Sequence, residues 1–257
     1  MKWLFSFILA TCLAFPANAQ ISAQSYVVMD QDGYVLFQKN PDDVRPIASI
    51  TKLYSLSHIV PISQPINITE SEIDRLKNTR MRLRHGSYDE LELVDAALSA
   101  SNNEAAKSLG KAHWLSYQIA QKKFPDVYMV EPSGLDPNNR ASAMALARSA
   151  FEIAKLPIAE HTLKTTMFVG KTGFRNTNPL LNLPGWDFKL SKTGFINEAG
   201  GCLIVVMTVA GRDYSIAILG SKDTRQRWKD LSQLRGLISE EPYFKFASPI
   251  SKSRKKK

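Results

Sequence analysis

The sequence predicts a mixed α/β (α+β) fold, one antiparallel sheet flanked by helices with a helical lobe inserted. Three observations carry that prediction. Residues 25–29 and 34–37 read as strands around Asp30-Gln31-Asp32-Gly33, a hairpin turn signal. In the last third, Trp186, Phe188 and Leu190 alternate with Asp187, Lys189 and Ser191, the period of a strand with one apolar face. Residues 201–210 and 214–219 are two further strands, joined at Gly211-Arg212-Asp213. Between these ends, residues 70–123 follow a mainly helical pattern, with Leu91, Val94, Ala97 and Leu98 spaced for one face. Strands at both chain ends that bracket helices assemble into one sheet.

The remaining elements follow in order. Lys2 gives a basic start, residues 4–15 are apolar apart from Ser6 and Thr11, and Ala17-Asn18-Ala19 sets small residues two apart. Residues 1–19 are therefore expected to be a cleaved export signal, too short in its apolar part to span a bilayer comfortably. The mature chain then begins at Gln20, is secreted to the periplasm, and keeps 238 of the 257 residues, enough for one sizeable core. Residues 20–243 form the expected domain and 244–257 a basic tail. Pro41 and Pro46 punctuate a loop before residues 50–60, an apolar stretch suited to a buried helix and closed by Pro61 and Pro65. A turn falls at Glu131-Pro132-Ser133-Gly134, a helix over 143–155 stops before Pro157, and a last helix covers 224–238.

Formal charge is +9, and five cationic side chains lie within the last six residues. Such a tail is solvated, or makes weak contact with an anionic membrane or wall polymer. No interleaving of aromatic and basic residues supports nucleic acid as a partner. Cys12 leaves with the signal, so Cys202 is alone; a disulfide within the chain is excluded, and its apolar run reads as a buried strand. His58, His85, His113 and His161 share no ligand spacing, so neither metal nor cofactor is expected. Trp114 and Trp186 read as packing residues.

Three short patterns carry chemistry. Ser-x-x-Lys occurs at Ser49/Lys52, Ser108/Lys111 and Ser253/Lys256; Lys-Thr-Gly occurs at Lys171 and Lys192; Ser-x-Asn occurs as Ser101-Asn102-Asn103. Only Ser49 comes first in the series and opens an apolar helix. Three residues on a helix put Ser49 and Lys52 on one face. A serine nucleophile needs a base, and a lysine serves only when neutral. Burial of Lys52 and a nearby cation, for which Lys192 is the natural candidate, would lower its pKa. The helix start also offers the Ser49 N–H as an oxyanion donor. Lys192 ends an alternating strand, and Gly194 would let a substrate backbone lie against the sheet edge. Lys171 instead reads as a turn. Taken singly, Ser49 could be a helix N-cap and Lys192 an edge-strand lysine.

The ordered series Ser49-Ile50-Thr51-Lys52, Ser101-Asn102-Asn103 and Lys192-Thr193-Gly194 resembles the three motifs of the serine DD-peptidase and β-lactamase superfamily. Glu131-Pro132-Ser133-Gly134-Leu135, Asn139, Phe174-Arg175-Asn176-Thr177-Asn178 and the segment from Lys192 to Gly200 are similar to low-molecular-mass penicillin-binding proteins, most of all the D-alanyl-D-alanine endopeptidase branch. The resemblance runs over about residues 25–235. It implies a DD-peptidase-like fold that acts on peptidoglycan peptides and is acylated by β-lactams. It implies that Ser49 is acylated, Lys52 takes its proton and Ser101 relays a proton to the leaving amine. Asn103 would orient substrate and Lys52, Lys192 and Thr193 would bind a carboxylate, and the N–H groups of Ser49 and Phe195 would form the oxyanion hole. The chain departs from the family at residues 143–146, where an acidic residue is often found, and in a short span between Ser101 and Glu131. A β-lactamase, with Glu131 as deacylating residue, a DD-carboxypeptidase and a non-catalytic wall-binding protein are the competing readings. The 63 residues after Gly194 leave no room for the added β-rich domain usual in carboxypeptidases.

Overall fold

The computed structural model describes residues 21–60, 64–69 and 82–240. The expected export signal, the basic tail, Pro61 and residues 70–81 of the expected helical stretch lie outside the described residues.

The chain opens with the expected hairpin, β1 (Ser25–Asp30) and β2 (Val35–Lys39), whose turn is tied by the Asp30 carboxylate accepting from the Asp32 and Tyr34 N–H groups at 3.0 and 2.9 Å. A two-residue strand β3 (Arg45–Pro46) leads through a 3₁₀ turn (Ala48–Ile50) into α1 (Thr51–Ser55). Then come β4 (Ile66–Ile68) and β5 (Gly86–Tyr88), paired with each other, and the helices α2 (Glu90–Leu98), α3 (Asn103–Ala112) and α4 (Trp114–Lys123). Strands β6 (Val127–Tyr128) and β7 (Arg140–Ala141) join β3 in a small sheet, followed by α5 (Ala143–Ile153) and a second 3₁₀ segment (Pro157–Thr162). The chain closes with the hairpin β8 (Thr166–Val169) and β9 (Thr172–Arg175), the strands β10 (Asp187–Ile196), β11 (Gly200–Val209) and β12 (Arg212–Ser221), and α6 (Gln226–Glu240).

The predicted sheet from both chain ends is present: β10-β11-β12-β1-β2, antiparallel throughout, with Ser25 opposite Leu219 and Asp30 opposite Tyr214. Alternation in β11 sends Leu203, Val205 and Met207 to one face, where Leu231, Leu234 and Ile238 of α6 cover them. Cys202, Ile204 and Val206 point to the other face, into one core with Ala147 of α5, Leu53 of α1 and Leu109 of α3. Each fully buried aliphatic side chain contributes about 1.5–3 kcal/mol.

Local capping places the helices. The side chains of Asp89, Asn102 and Ser142 accept from the N–H groups of Glu92, Ala105 and Ala145, satisfying donors at the starts of α2, α3 and α5. Asn102 is the middle residue of Ser101-Asn102-Asn103, so the cap fixes Ser101 just outside α3 and Asn103 in its first turn.

Four expectations need correction. The stretch 50–60 is buried through Ser57, but α1 ends at Ser55. The Ser57 hydroxyl donates to the Tyr54 carbonyl at 2.7 Å and the Ser55 hydroxyl to the Pro132 carbonyl at 3.0 Å, side-chain bonds that compete with further helix. Val94, Ala97 and Leu98 are buried as expected, but Leu91, in the first turn of α2, is 47% exposed. Trp114 is 57% exposed and so is no core residue; Trp186 does pack, stacked on Phe188 with centroids 5.7 Å apart. Strand β10 continues to Ile196, so Lys192 sits mid-strand rather than at its end. The predicted helices over 143–155 and 224–238 match α5 and α6 to within two residues at each end, where helix ends fray.

Candidate active site

Four segments meet beside β10, an edge strand of the main sheet. The first is the 3₁₀ turn that carries Ser49. Ala48, just before it, holds φ +48°, a conformation a non-glycine residue adopts only when its surroundings impose it. Those surroundings are two glycines. A Cβ on Gly194 would lie 2.6 Å from the Ile47 carbonyl oxygen and 3.1 Å from the Ser49 nitrogen. A Cβ on Gly134, itself at φ +77°, would lie 2.1 Å from the Ala48 carbonyl oxygen and 2.9 Å from the Ser49 nitrogen. Gly194 therefore admits the backbone of the Ser49 turn, a close approach of the kind a strand glycine allows.

Lys52 is the second component, fully buried one helical turn beyond Ser49. Its Nζ lies 2.8 Å from Ser49 Oγ, 2.8 Å from Asn103 Oδ1 and 2.5 Å from the Ser133 carbonyl oxygen. Two of these neighbours only accept. A neutral amine gives its two N–H bonds to Asn103 and Ser133 and turns its lone pair to Ser49, whose hydroxyl then donates to it. Burial lowers the Lys52 pKa to about 7, opposed by the carboxylates of Glu131 and Glu104 and assisted by Lys107. Lys192 is the nearby cation expected from the sequence: the two amines repel each other across the cleft, and Lys107 adds to the effect on Lys52.

Lys192 is fully buried within β10. Its ammonium donates to Ser101 Oγ at 2.9 Å and to the Thr193 carbonyl at 3.1 Å. Burial, then Lys52, then Arg227 hold its pKa well below the ordinary lysine range. Ser101, at φ +61°, is a second strained residue at the cleft. The Thr193 hydroxyl donates to Thr177 Oγ1 at 2.8 Å. Phe195 pairs with Gly201 of β11, and its side chain is 45% exposed. All eight residues singled out from the sequence, Ser49, Lys52, Ser101, Asn103, Lys192, Thr193, Gly194 and Phe195, therefore belong to one cleft or its walls.

The competing local readings fail on geometry. Ser49 makes no side-chain capping bond, and Lys192 is buried although its strand is an edge. Lys171 is exposed at the β8–β9 turn and Lys111 is exposed on α3, unlike the buried Lys192 and Lys52, while Ser253 and Lys256 lie outside the described residues. Among the described residues, no group of three His, Cys, Asp or Glu side chains is placed to hold a metal ion, and no helix is long and apolar enough to cross a membrane.

Comparison with known proteins agrees with this geometry. The profile of the D-alanyl-D-alanine carboxypeptidase family of peptidases matches residues 13–223. The chain belongs to that family. A D-alanyl-D-alanine endopeptidase of Pseudomonas aeruginosa is 32% identical over 86% of this peptidase and 78% of its own length. Its namesake from Escherichia coli is 28% identical over 86% and 79%. Among solved structures, penicillin-binding protein D2 of Listeria monocytogenes, in a cefotaxime-bound form, superposes with a TM-score of 0.72 at 23% identity, covering 86% of this chain and 99% of that one. A peptidoglycan synthesis regulatory factor of Streptococcus pneumoniae gives 0.75 at 23% identity, covering 86% and 80%. These two share the fold, as predicted from the sequence.

Several parts of the peptidase cleft had no role in the DD-peptidase site expected from the sequence. Glu131 Oε2 accepts from the Ser133 N–H at 2.8 Å and the Ser133 hydroxyl at 2.6 Å, while Oε1 accepts from the Leu135 N–H at 2.8 Å and Asn139 Nδ2 at 2.9 Å. Burial works against its charge, but these bonds outweigh it and hold the carboxyl below its usual range. Both oxygens are engaged in folding the turn that aims the Ser133 carbonyl at Lys52, which leaves Glu131 a bracket rather than a deacylating base. Arg227 of α6 donates from Nη1 to the Gly194 carbonyl at 2.9 Å. The Asn178 amide donates to Ser191 Oγ at 2.9 Å, beside Lys192. Cys202 behaves as predicted: it is buried in β11, and burial pushes its thiol up to about 11.

Proposed function

We propose that this peptidase is a penicillin-binding serine DD-endopeptidase that cleaves D-alanyl cross-links of peptidoglycan through an acyl-enzyme at Ser49. One observation carries the assignment of the nucleophile: the buried Lys52 amine, 2.8 Å from Ser49 Oγ, with its other close partners able only to accept. Ser49 Oγ attacks the D-alanyl carbonyl as its proton passes to Lys52 Nζ. The developing oxyanion is held by the N–H groups of Ser49 and Phe195. Ser101, hydrogen-bonded to Lys192, delivers a proton to the leaving amine as the C–N bond breaks. Lys192 and Thr193 hold the carboxylate of the departing D-centre, and Asn103 steers both substrate and Lys52. Water then attacks the ester, and Ser49 recovers its proton.

The endopeptidase names of the relatives favour a cross-link over a terminal D-alanine, and the shared Ser49 site makes DD-carboxypeptidase activity the second reading. Its place of action is the periplasm, supported by residues 1–19; the basic tail contributes weak adhesion to anionic wall or membrane. The mature protein is incubated with a cross-linked muropeptide dimer and with a monomeric pentapeptide, and products are followed by mass. Faster cleavage of the dimer is expected; preferential loss of terminal D-alanine from the pentapeptide would select the carboxypeptidase reading. Ser49→Ala should abolish labelling by a fluorescent penicillin, and persistence of the label would remove Ser49 from the mechanism.

A further inference from the structure

The loop before β10 contains Asn176-Thr177-Asn178, a segment whose three side chains each make contacts elsewhere in the fold. Asn176 Nδ2 donates to Ser99 Oγ at 3.1 Å, to the Thr162 carbonyl at 2.9 Å and to the Lys164 carbonyl at 2.8 Å. Asn178 holds Ser191, as described. Thr177 lies between them and touches both walls. Its N–H donates to the Ser99 carbonyl at 3.0 Å, two residues before Ser101, and its hydroxyl accepts from Thr193 at 2.8 Å. The two asparagines hold Thr177 in place, and it stays half-buried rather than covered.

We propose that Thr177 is a specificity-determining residue whose hydroxyl binds the carboxylate of the leaving group alongside Thr193. This rests on the reading of Lys192 and Thr193 as the carboxylate subsite. The Thr193 proton is directed at Thr177. A hydroxyl turns about a single bond, so an arriving carboxylate takes the Thr193 proton on one oxygen. Thr177 Oγ1, 2.8 Å from the Thr193 oxygen, then gives its own proton to the other. Two donors side by side meet the two oxygens of one carboxylate, while Lys192 supplies the charge. A neutral carboxamide offers one acceptor in place of two, and its NH₂ faces a hydroxyl that must then accept. The pair of threonines therefore discriminates charge and shape in a way Lys192 alone does not.

The test compares N-acyl-Lys-D-Ala-D-Ala with its C-terminal amide as substrates of the full mature enzyme. Wild type should favour the free carboxylate. Thr177→Val keeps the shape and the backbone N–H to Ser99 but loses the donor. It should cut the preference for carboxylate over amide roughly tenfold or more, mainly through KM, and Thr177→Ser should restore it. Equal loss on both substrates would reduce Thr177 to a support for the Ser99 segment and overturn the proposal, as would an unchanged preference. A serine variant that matches the valine variant would also overturn it. Absence of penicillin label on wild-type Ser49 would instead overturn the underlying acyl-enzyme reading, so the two failures are distinguishable.

Discussion

Acylation of Ser49 should fall as the pH drops below 7, because Lys52 must be neutral to accept the serine proton. With its pKa at about 7, Lys52 is neutral in roughly nine molecules of ten at pH 8, half at pH 7 and about one in ten at pH 6. The second-order rate of labelling by a fluorescent penicillin should therefore drop about tenfold from pH 8 to pH 6. A substitution at Glu104 fixes the cause. Glu104 is fully buried, and its carboxylate favours the Lys52 ammonium. Glu104→Gln removes that charge at nearly constant shape, so Lys52 gives up its proton at lower pH and the acid limb moves down. At pH 6 the variant should label faster than wild type, with thermal melting used to check that both are folded. A flat rate between pH 6 and 8, a limb centred near the ordinary lysine value, or a Glu104→Gln limb displaced upward would refute the reasoning.

Two further outcomes follow from the same geometry. Gly134→Ala drives a Cβ to 2.1 Å from the Ala48 carbonyl oxygen at a residue with φ +77°, so it should lower stability by roughly 1–3 kcal/mol and slow penicillin labelling at least a hundredfold, measured by urea unfolding and by fluorescence. Stability should rise from pH 7 to about pH 10, since there Lys52 is protonated in the unfolded chain and neutral in the folded one, and the depression of Lys192 acts in the same direction. Lys52 alone contributes on the order of 4 kcal/mol across that window. Above pH 10 the sign reverses, because burial keeps the thiol of Cys202 and the phenol of Tyr117 protonated only in the folded state, at about 11 and about 12. Urea titrations at stepped pH test this, and stability that falls between pH 7 and 10 would contradict the burial of the two lysines.

What the sequence made legible has a common physical origin. Strands β10 and β11 announce themselves through period-two alternation and a long apolar run, and Ser49, Lys52 and Lys192 through side-chain chemistry at fixed spacing. The Ser133 carbonyl, the third partner of Lys52, has no such signature, because every residue carries a carbonyl and only the turn around Glu131 aims this one. A strand glycine such as Gly194 signals close approach without naming what approaches, and only the fold shows that the Ser49 turn is packed against it. Leu91 and Trp114 sat on correctly placed helices yet face outward, since exposure depends on which neighbour covers a helix and not on the helix's own pattern. Thr177 stood inside a segment recognised by resemblance, but its contact with Thr193 joins residues from a loop and a strand that only the fold brings together.

On the proposed roles, the two buried lysines give a reason for the cleft to prefer an anionic leaving group. Both are fully enclosed, and the burial that depresses each is reinforced at Lys192 by repulsion from Lys52 and Arg227. Burial and repulsion thus both disfavour the charge on Lys192, and an anion against it would favour that charge. When a carboxylate arrives, its charge favours the Lys192 ammonium, and that ammonium in turn disfavours a second positive charge at Lys52. The substrate thus divides the protons between the two amines: a cation where the carboxylate sits, a free base beside Ser49. A leaving group without the carboxylate would supply no such division. It would meet a Lys192 with little reason to be charged and a Lys52 less inclined to be neutral, so selectivity and activation of the nucleophile share one electrostatic cause.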